Sequence, residues 1–200
     1  MKTFFDEILA CEWRWYRFEW QSRSSIHAHG CARFSNDPGL IQLTALVYKG
    51  RMATEKLNDA STVDTERVEL IENQRIGVES EIIIIEYVEN LISATNTRSI
   101  IDAEPRIPEP HPCSIQYADL QNVDKDRDYE ELINCVQRHV CRLNGYCKSS
   151  KKQNEGKCRF GYPIAVNDKT SIEFIITGNK VKAEIKLKRN DKFLNVHNRL

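Results

Sequence analysis

The run Arg14-Trp15-Tyr16-Arg17-Phe18-Glu19-Trp20-Gln21 constrains this chain more than any other feature. From Tyr16 onward aromatic and polar residues alternate with a period of two, the pattern of a β-strand with one face inward and one outward. Tyr16, Phe18 and Trp20 share one face, and Arg17, Glu19 and Gln21 share the other. The polar stretch Ser22 to Ser25 follows, and then Ile26-His27-Ala28-His29-Gly30, a second β-prone run. So short a polar link between two strands predicts an antiparallel hairpin.

Register then decides the chemistry. Residues i and i+2 of a strand point to the same side, so His27 and His29 project together. A loop of three or five residues places Glu19 or Gln21 on their face, whereas a four-residue loop places Trp20 there. The odd loop is expected, because it keeps all three aromatics in the core and clusters the polar groups. Neutral imidazole is the commonest side-chain metal ligand. His27 and His29, with Glu19 or Gln21 as a third ligand, therefore form a candidate site for one divalent ion. The competing reading is an ordinary half-buried hairpin with two solvent-facing histidines.

Farther along, Asn36-Asp37-Pro38-Gly39 is a turn and helix-start signal, and Leu40 to Leu57 reads as a helix. Val63 to Ser93 is helical in pattern, with a β-prone interruption at Ile82 to Ile85. A short helix is expected over Lys2 to Ala10 and an amphipathic one over Tyr129 to Arg142, with His139 on the face of Leu132, Cys135 and Val136. Residues 103–113 hold four prolines and read as an extended connector. Ser171 to Thr177 and Lys180 to Arg189 form a hairpin around Gly178-Asn179. The fold class these elements predict is α+β: an antiparallel sheet carrying the His-x-His hairpin, helices packed on the sheet, and a small Cys-rich loop region.

Two hundred residues suffice for one sizeable core, so a single domain over 1–200 is expected. Basic and acidic residues balance at 29 each, which gives bulk charge no role in DNA binding. Local clusters do better: Lys148, Lys151, Lys152, Lys157 and Arg159 form one, and Lys180, Lys182, Lys186, Lys188 and Arg189 form another. Such patches can contact phosphates, although most lysine runs are solvated surface. No apolar run is long enough for a membrane span and no signal-peptide core opens the chain, so an intracellular protein without a membrane partner is expected.

Seven cysteines in such a chain argue against a disulfide framework. His139, Cys141, Cys147 and Cys158 are candidate zinc ligands, with His111 and Cys113 upstream. Cys147 and Cys158 bracket a Lys/Ser/Gly-rich loop that a tetrahedral zinc would pin at its base. The spacing H-x-C-x5-C-x10-C is not a regular zinc-finger pattern, and unlinked reduced thiols are the alternative. Cys11 and Cys31 flank the hairpin and are expected in the core.

The segment Glu-Trp-Gln-Ser-Arg-x-Ser-Ile-His-x-His-Gly resembles the His-hydrophobic-His motif of the Helitron rolling-circle transposases, whose replication-initiator domain belongs to the HUH endonuclease superfamily. The resemblance continues through Asn36-Asp37-Pro38-Gly39-Leu40, His111-Pro112-Cys113-Ser114 and Val136-Gln137-Arg138-His139. It resumes at Cys158-Arg159-Phe160-Gly161-Tyr162-Pro163 and Leu187-Lys188-Arg189-Asn190-Asp191, so its blocks span nearly the whole chain.

The resemblance implies a nuclear, metal-dependent nicking and strand-transfer enzyme acting on single-stranded DNA. A tyrosine would attack the phosphate, and Mn²⁺ or Mg²⁺ would polarise it. Two departures qualify this. No tyrosine stands in the family's Tyr-x-x-Lys-Tyr arrangement, and no G-x-x-x-x-G-K-[ST] helicase loop occurs. The expectation is a fragment of a larger transposase, incomplete at both ends, without the tyrosine and helicase segments. A non-catalytic DNA-binding remnant is the alternative.

Overall fold

The computed structural model describes residues 6–7, 9–20, 26–59, 64–97, 125–141, 147 and 156–198, several of them by backbone alone. Strand β1 (Cys11–Trp20) leads to β2 (Ile26–Phe34), then to helices α1 (Leu40–Leu57), α2 (Asp64–Leu91) and α3 (Lys125–Val136). Strands β3 (Ser171–Thr177) and β4 (Lys180–Lys186) complete the order. The architecture is mixed α and β, but the strands form two separate two-stranded antiparallel sheets, not one shared sheet. The chain divides into two units, Met1–Ile84 and Ile85–Leu200. No described helix is long and apolar enough to cross a membrane.

In the first unit β1 and β2 pair with Glu19 opposite His27 and Arg17 opposite His29. The last pair is Trp20 with Ile26, so five residues link the strands. Of the aromatic face expected in the core, Phe18 is 56% exposed and Tyr16 half-buried, while the Trp20 side chain lies outside the described residues; Trp13 and Trp15 on the opposite face are exposed too. A two-stranded ribbon has no second layer of its own to cover either face. Cys31, expected in the core, is exposed for the same reason.

Beyond β2 the backbone turns sharply. Gly39 donates its N–H to the Asp37 carboxylate at 2.8 Å and takes a φ of 80°, the left-handed conformation that glycine tolerates best. Helix α1 starts at the next residue and ends at Leu57, as its pattern predicted.

Helices α1 and α2 run antiparallel where they touch. Val47, Gly50 and Ala53 form the buried face of α1. Gln74 donates to the Thr54 hydroxyl at 3.1 Å, and Arg51 meets Glu81 at 2.9 Å. The closest approach is glycine on glycine: a Cβ built on Gly50 would lie 2.7 Å from the Gly77 Cα, and the converse distance is also 2.7 Å. The β-prone Ile82 to Ile85 stays helical inside this 28-residue element. Burial of Ile84 and Val88 on its inner side outweighs a weak local preference of a few tenths of a kcal/mol per residue.

In the second unit the Gly178-Asn179 turn joins β3 to β4, with Thr177 opposite Lys180 and Gly178 at a φ of 58°. Such Gly-first two-residue loops match the twist of the strands they connect. The hairpin stops at Lys186, short of the expected Arg189, because Arg189 instead bridges to Ala94 and Asn167. Helix α3 likewise ends at Val136, not Arg142. Arg138 has left the helix and bridges to Leu194, so His139 is not on a helical face.

The glycine contact gives a direct test. Gly50→Ala or Gly77→Ala must push two backbones apart, and overpacking of this kind typically costs about 1–3 kcal/mol. Urea unfolding should show either variant less stable by that amount, whereas Ile41→Ala, at a residue 84% exposed, should change stability little.

Candidate metal centre

Four residues separated by up to nineteen positions converge in the second unit: His139, Cys141, Cys147 and Cys158. Each offers one ligand atom, and all four atoms lie within 4.8 Å of one another. The His139 Nε2 is 3.4 Å from the Cys158 sulfur and 3.6 Å from the Cys147 sulfur. A tetrahedral ion with bonds of about 2.0–2.3 Å sets its donors about 3.3–3.8 Å apart. The cluster can therefore hold a metal ion with little movement. Three thiols and an imidazole are a soft donor set, matched to zinc chemistry and mismatched to the oxygen-preferring Mg²⁺.

Backbone pairing delivers each ligand. The His139 N–H donates to the Phe193 carbonyl at 2.7 Å, and the Asn195 N–H donates to the Gln137 carbonyl at 2.7 Å. These bonds hold the segment after α3 extended and carry Cys141 on from His139. The Arg159 N–H donates to the Cys147 carbonyl at 3.0 Å, tying the third ligand to the turn that carries the fourth. In that turn Gly161 donates to the Cys158 carbonyl at 3.0 Å and takes a φ of 80°.

The turn also prepares the sulfur of Cys158. Burial opposes its ionisation, but the N–H groups of Phe160 and Tyr162 and the thiols of Cys141 and Cys147 donate toward it, and its pKa is lowered overall. Backbone donors aimed at a sulfur stabilise a thiolate, the form that ligates metal. Cys141 is the counterpart: burial first, then the neighbouring Cys158 and Cys147, pushes its pKa up to about 11. Burial lowers the pKa of His139, which favours the neutral imidazole a metal requires.

Aromatic rings frame the imidazole. Tyr162 stacks on His139 with centroids 4.1 Å apart and planes 15° from parallel. Phe193 stacks beyond Tyr162 at 6.4 Å, while Phe160 meets His139 edge-on at 5.9 Å. The Tyr162 hydroxyl donates to the Asn195 side chain. Beside this layer the Arg138–Asp191 ion pair is almost wholly enclosed, its side chains 5% and 2% exposed. Neither the stack nor the ion pair was foreseen, though the residue blocks behind the family resemblance contain Arg138, Tyr162 and Asp191.

The other candidates are distributed differently. Glu19 and His27 face each other across the hairpin by backbone register, and His29 is exposed on β2. The side chains of Glu19 and His27, and all of Gln21, lie outside the described residues, as do His111, Cys113, Lys148, Lys151 and Lys152. Arg159 and Lys188 are exposed, as a phosphate contact requires. Arg189 is a correction: it is 7% exposed, and its guanidinium donates to the carbonyls of Asp191, at 3.2 Å, and Leu194. It braces a turn and has no surface to offer DNA. No protein-family model, curated protein or solved structure matches this chain.

Purified chain should retain one zinc ion after dialysis. Cys147→Ser or Cys158→Ser should weaken retention by more than the ~10–100-fold typical of losing an outer-shell partner. Thiols must shed protons to ligate, so zinc affinity should fall steadily as pH is lowered from 7.5 to 5.5. Metal analysis and competition with a chromogenic chelator measure both. Zinc retention unaffected by either substitution would exclude the site.

Proposed function

We propose that this chain is a zinc-stabilised, single-stranded-DNA-binding part of a Helitron-type rolling-circle initiator, acting in the nucleus. The observation that carries the reading is the convergence of His139, Cys141, Cys147 and Cys158. Three of the sequence blocks behind the resemblance contribute to that convergence and its bracing: Val136 to His139, Cys158 to Pro163 and Leu187 to Asp191. Zinc is the assigned metal there, and its role is structural, because four protein ligands leave no open position for substrate.

A second ion, Mn²⁺ or Mg²⁺, is assigned to His27 and His29 with Glu19 or Gln21. The pairing of Glu19 with His27 across β1 and β2 supports this, since directly opposite residues share a face. Bound there, the ion would polarise a backbone phosphate. None of the chain's seven tyrosines stands in the Tyr-x-x-Lys-Tyr arrangement, so covalent strand cleavage is not assigned to it. The reading favoured for this chain is binding and positioning of the strand.

Two measurements test the proposal. The chain should bind a single-stranded oligodeoxynucleotide in a salt-sensitive way and should form no covalent adduct on a denaturing gel, even with Mn²⁺. Calorimetry should detect one Mn²⁺ site that His27→Ala weakens at least tenfold. Absence of DNA binding at low salt would end the functional reading. An adduct lost on changing one tyrosine to phenylalanine would instead restore catalysis and identify the nucleophile.

A further inference from the structure

A cavity of about 690 Å³ opens against the candidate metal centre, lined by two of its residues, Cys141 and Cys158, and by Lys157, Arg159, Tyr162 and Phe193 among others. Its volume falls in the ~300–1,000 Å³ range typical of small-ligand sites. Among the described lining residues two are cationic and none is a carboxylate, which suits an anionic ligand.

Between two of its lining residues, Arg159 and Gly161, comes Phe160, a large apolar ring left 44% exposed. It is not loose: His139 meets its edge, and the Arg159 guanidinium lies 4.6 Å over its centroid. A guanidinium layered on an aromatic ring is a flat, cationic platform, and unpaired bases stack on both kinds of plane.

We propose that the Arg159–Phe160 pair and the adjoining cavity bind unpaired nucleotides of single-stranded DNA, the pair stacking a base while Lys157 and Arg159 hold phosphate. This rests on the reading of the chain as a single-strand binder and names the surface that does the binding. The metal centre's part is to fix the Cys158–Pro163 turn, and with it the height and tilt of the platform. Stacking accepts any base, so the site contributes affinity with little sequence preference.

The test uses the full chain loaded with zinc and a fluorescent oligo-dT probe. Phe160→Leu keeps an apolar side chain against His139 but removes the aromatic face, and should weaken binding about tenfold with zinc content unchanged. Phe160→Trp should restore wild-type affinity. Lys157→Gln and Arg159→Gln should each lower the slope of log affinity against log salt by about 0.7. Wild-type affinity and salt dependence in all these variants, from a chain that does bind the probe, would overturn the inference and leave the broader reading standing. A chain that binds no probe at all would overturn both.

Discussion

The Arg138–Asp191 ion pair is the contact on which the second unit depends. Its side chains are 5% and 2% exposed, so both charges have left water and each needs the other. Losing one partner of such a pair typically costs about 3–5 kcal/mol, although an apolar replacement of both can be neutral. Its value is therefore more in geometry than in net stability. Asp191 also accepts the Phe193 N–H at 2.8 Å, and Arg189 donates to the Asp191 and Leu194 carbonyls. The turn built this way offers the Phe193 carbonyl to His139. Through it the pair sets where the imidazole stands relative to three sulfurs.

A metal centre has a clear physical role in such a unit. Its sheet is two-stranded, and two-stranded sheets are marginal by themselves. The described apolar core of the unit is thin, centred on Val88, Ala94, Ile133, Ile172 and Leu194. An ion bound at the cluster would join chain segments that hydrophobic burial alone holds weakly, and would make their folding contingent on it. An ion there would also stiffen the turn at Cys158–Pro163, which carries the exposed Arg159 and Phe160.

Much of the local structure was legible from residue patterns. Asn36-Asp37-Pro38-Gly39 marked the start of α1, and the run from Leu40 to Leu57 read as the helix that forms. Gly178-Asn179 announced the β3–β4 turn, because few residues tolerate a positive φ. The four candidate ligands His139, Cys141, Cys147 and Cys158 were legible as chemistry, since soft donors in a chain without a disulfide pattern invite a metal. What failed was anything that depended on neighbours distant in sequence. His139 fits a helix by period, yet backbone pairing to Phe193 takes it out of one. Arg189 looked like surface charge, yet it is buried as a brace. Phe18 and Cys31 looked like core, yet no second layer covers their hairpin among the described residues.

The sequence by itself determined which segments prefer helix, strand or turn and which side chains can bind metal, because these properties belong to residues and their near neighbours. Only the tertiary structure decided that α1 and α2 meet at Gly50 and Gly77, where two missing side chains let backbones touch. It alone decided that ligands from three separate segments share one point, and that Arg138 finds Asp191 fifty-three residues away. Such meetings depend on the balance of burial, charge desolvation and chain closure over the whole unit. No local pattern records that balance, so the pattern missed the boundaries at Val136 and Lys186, and it also missed the start of α3 at Lys125.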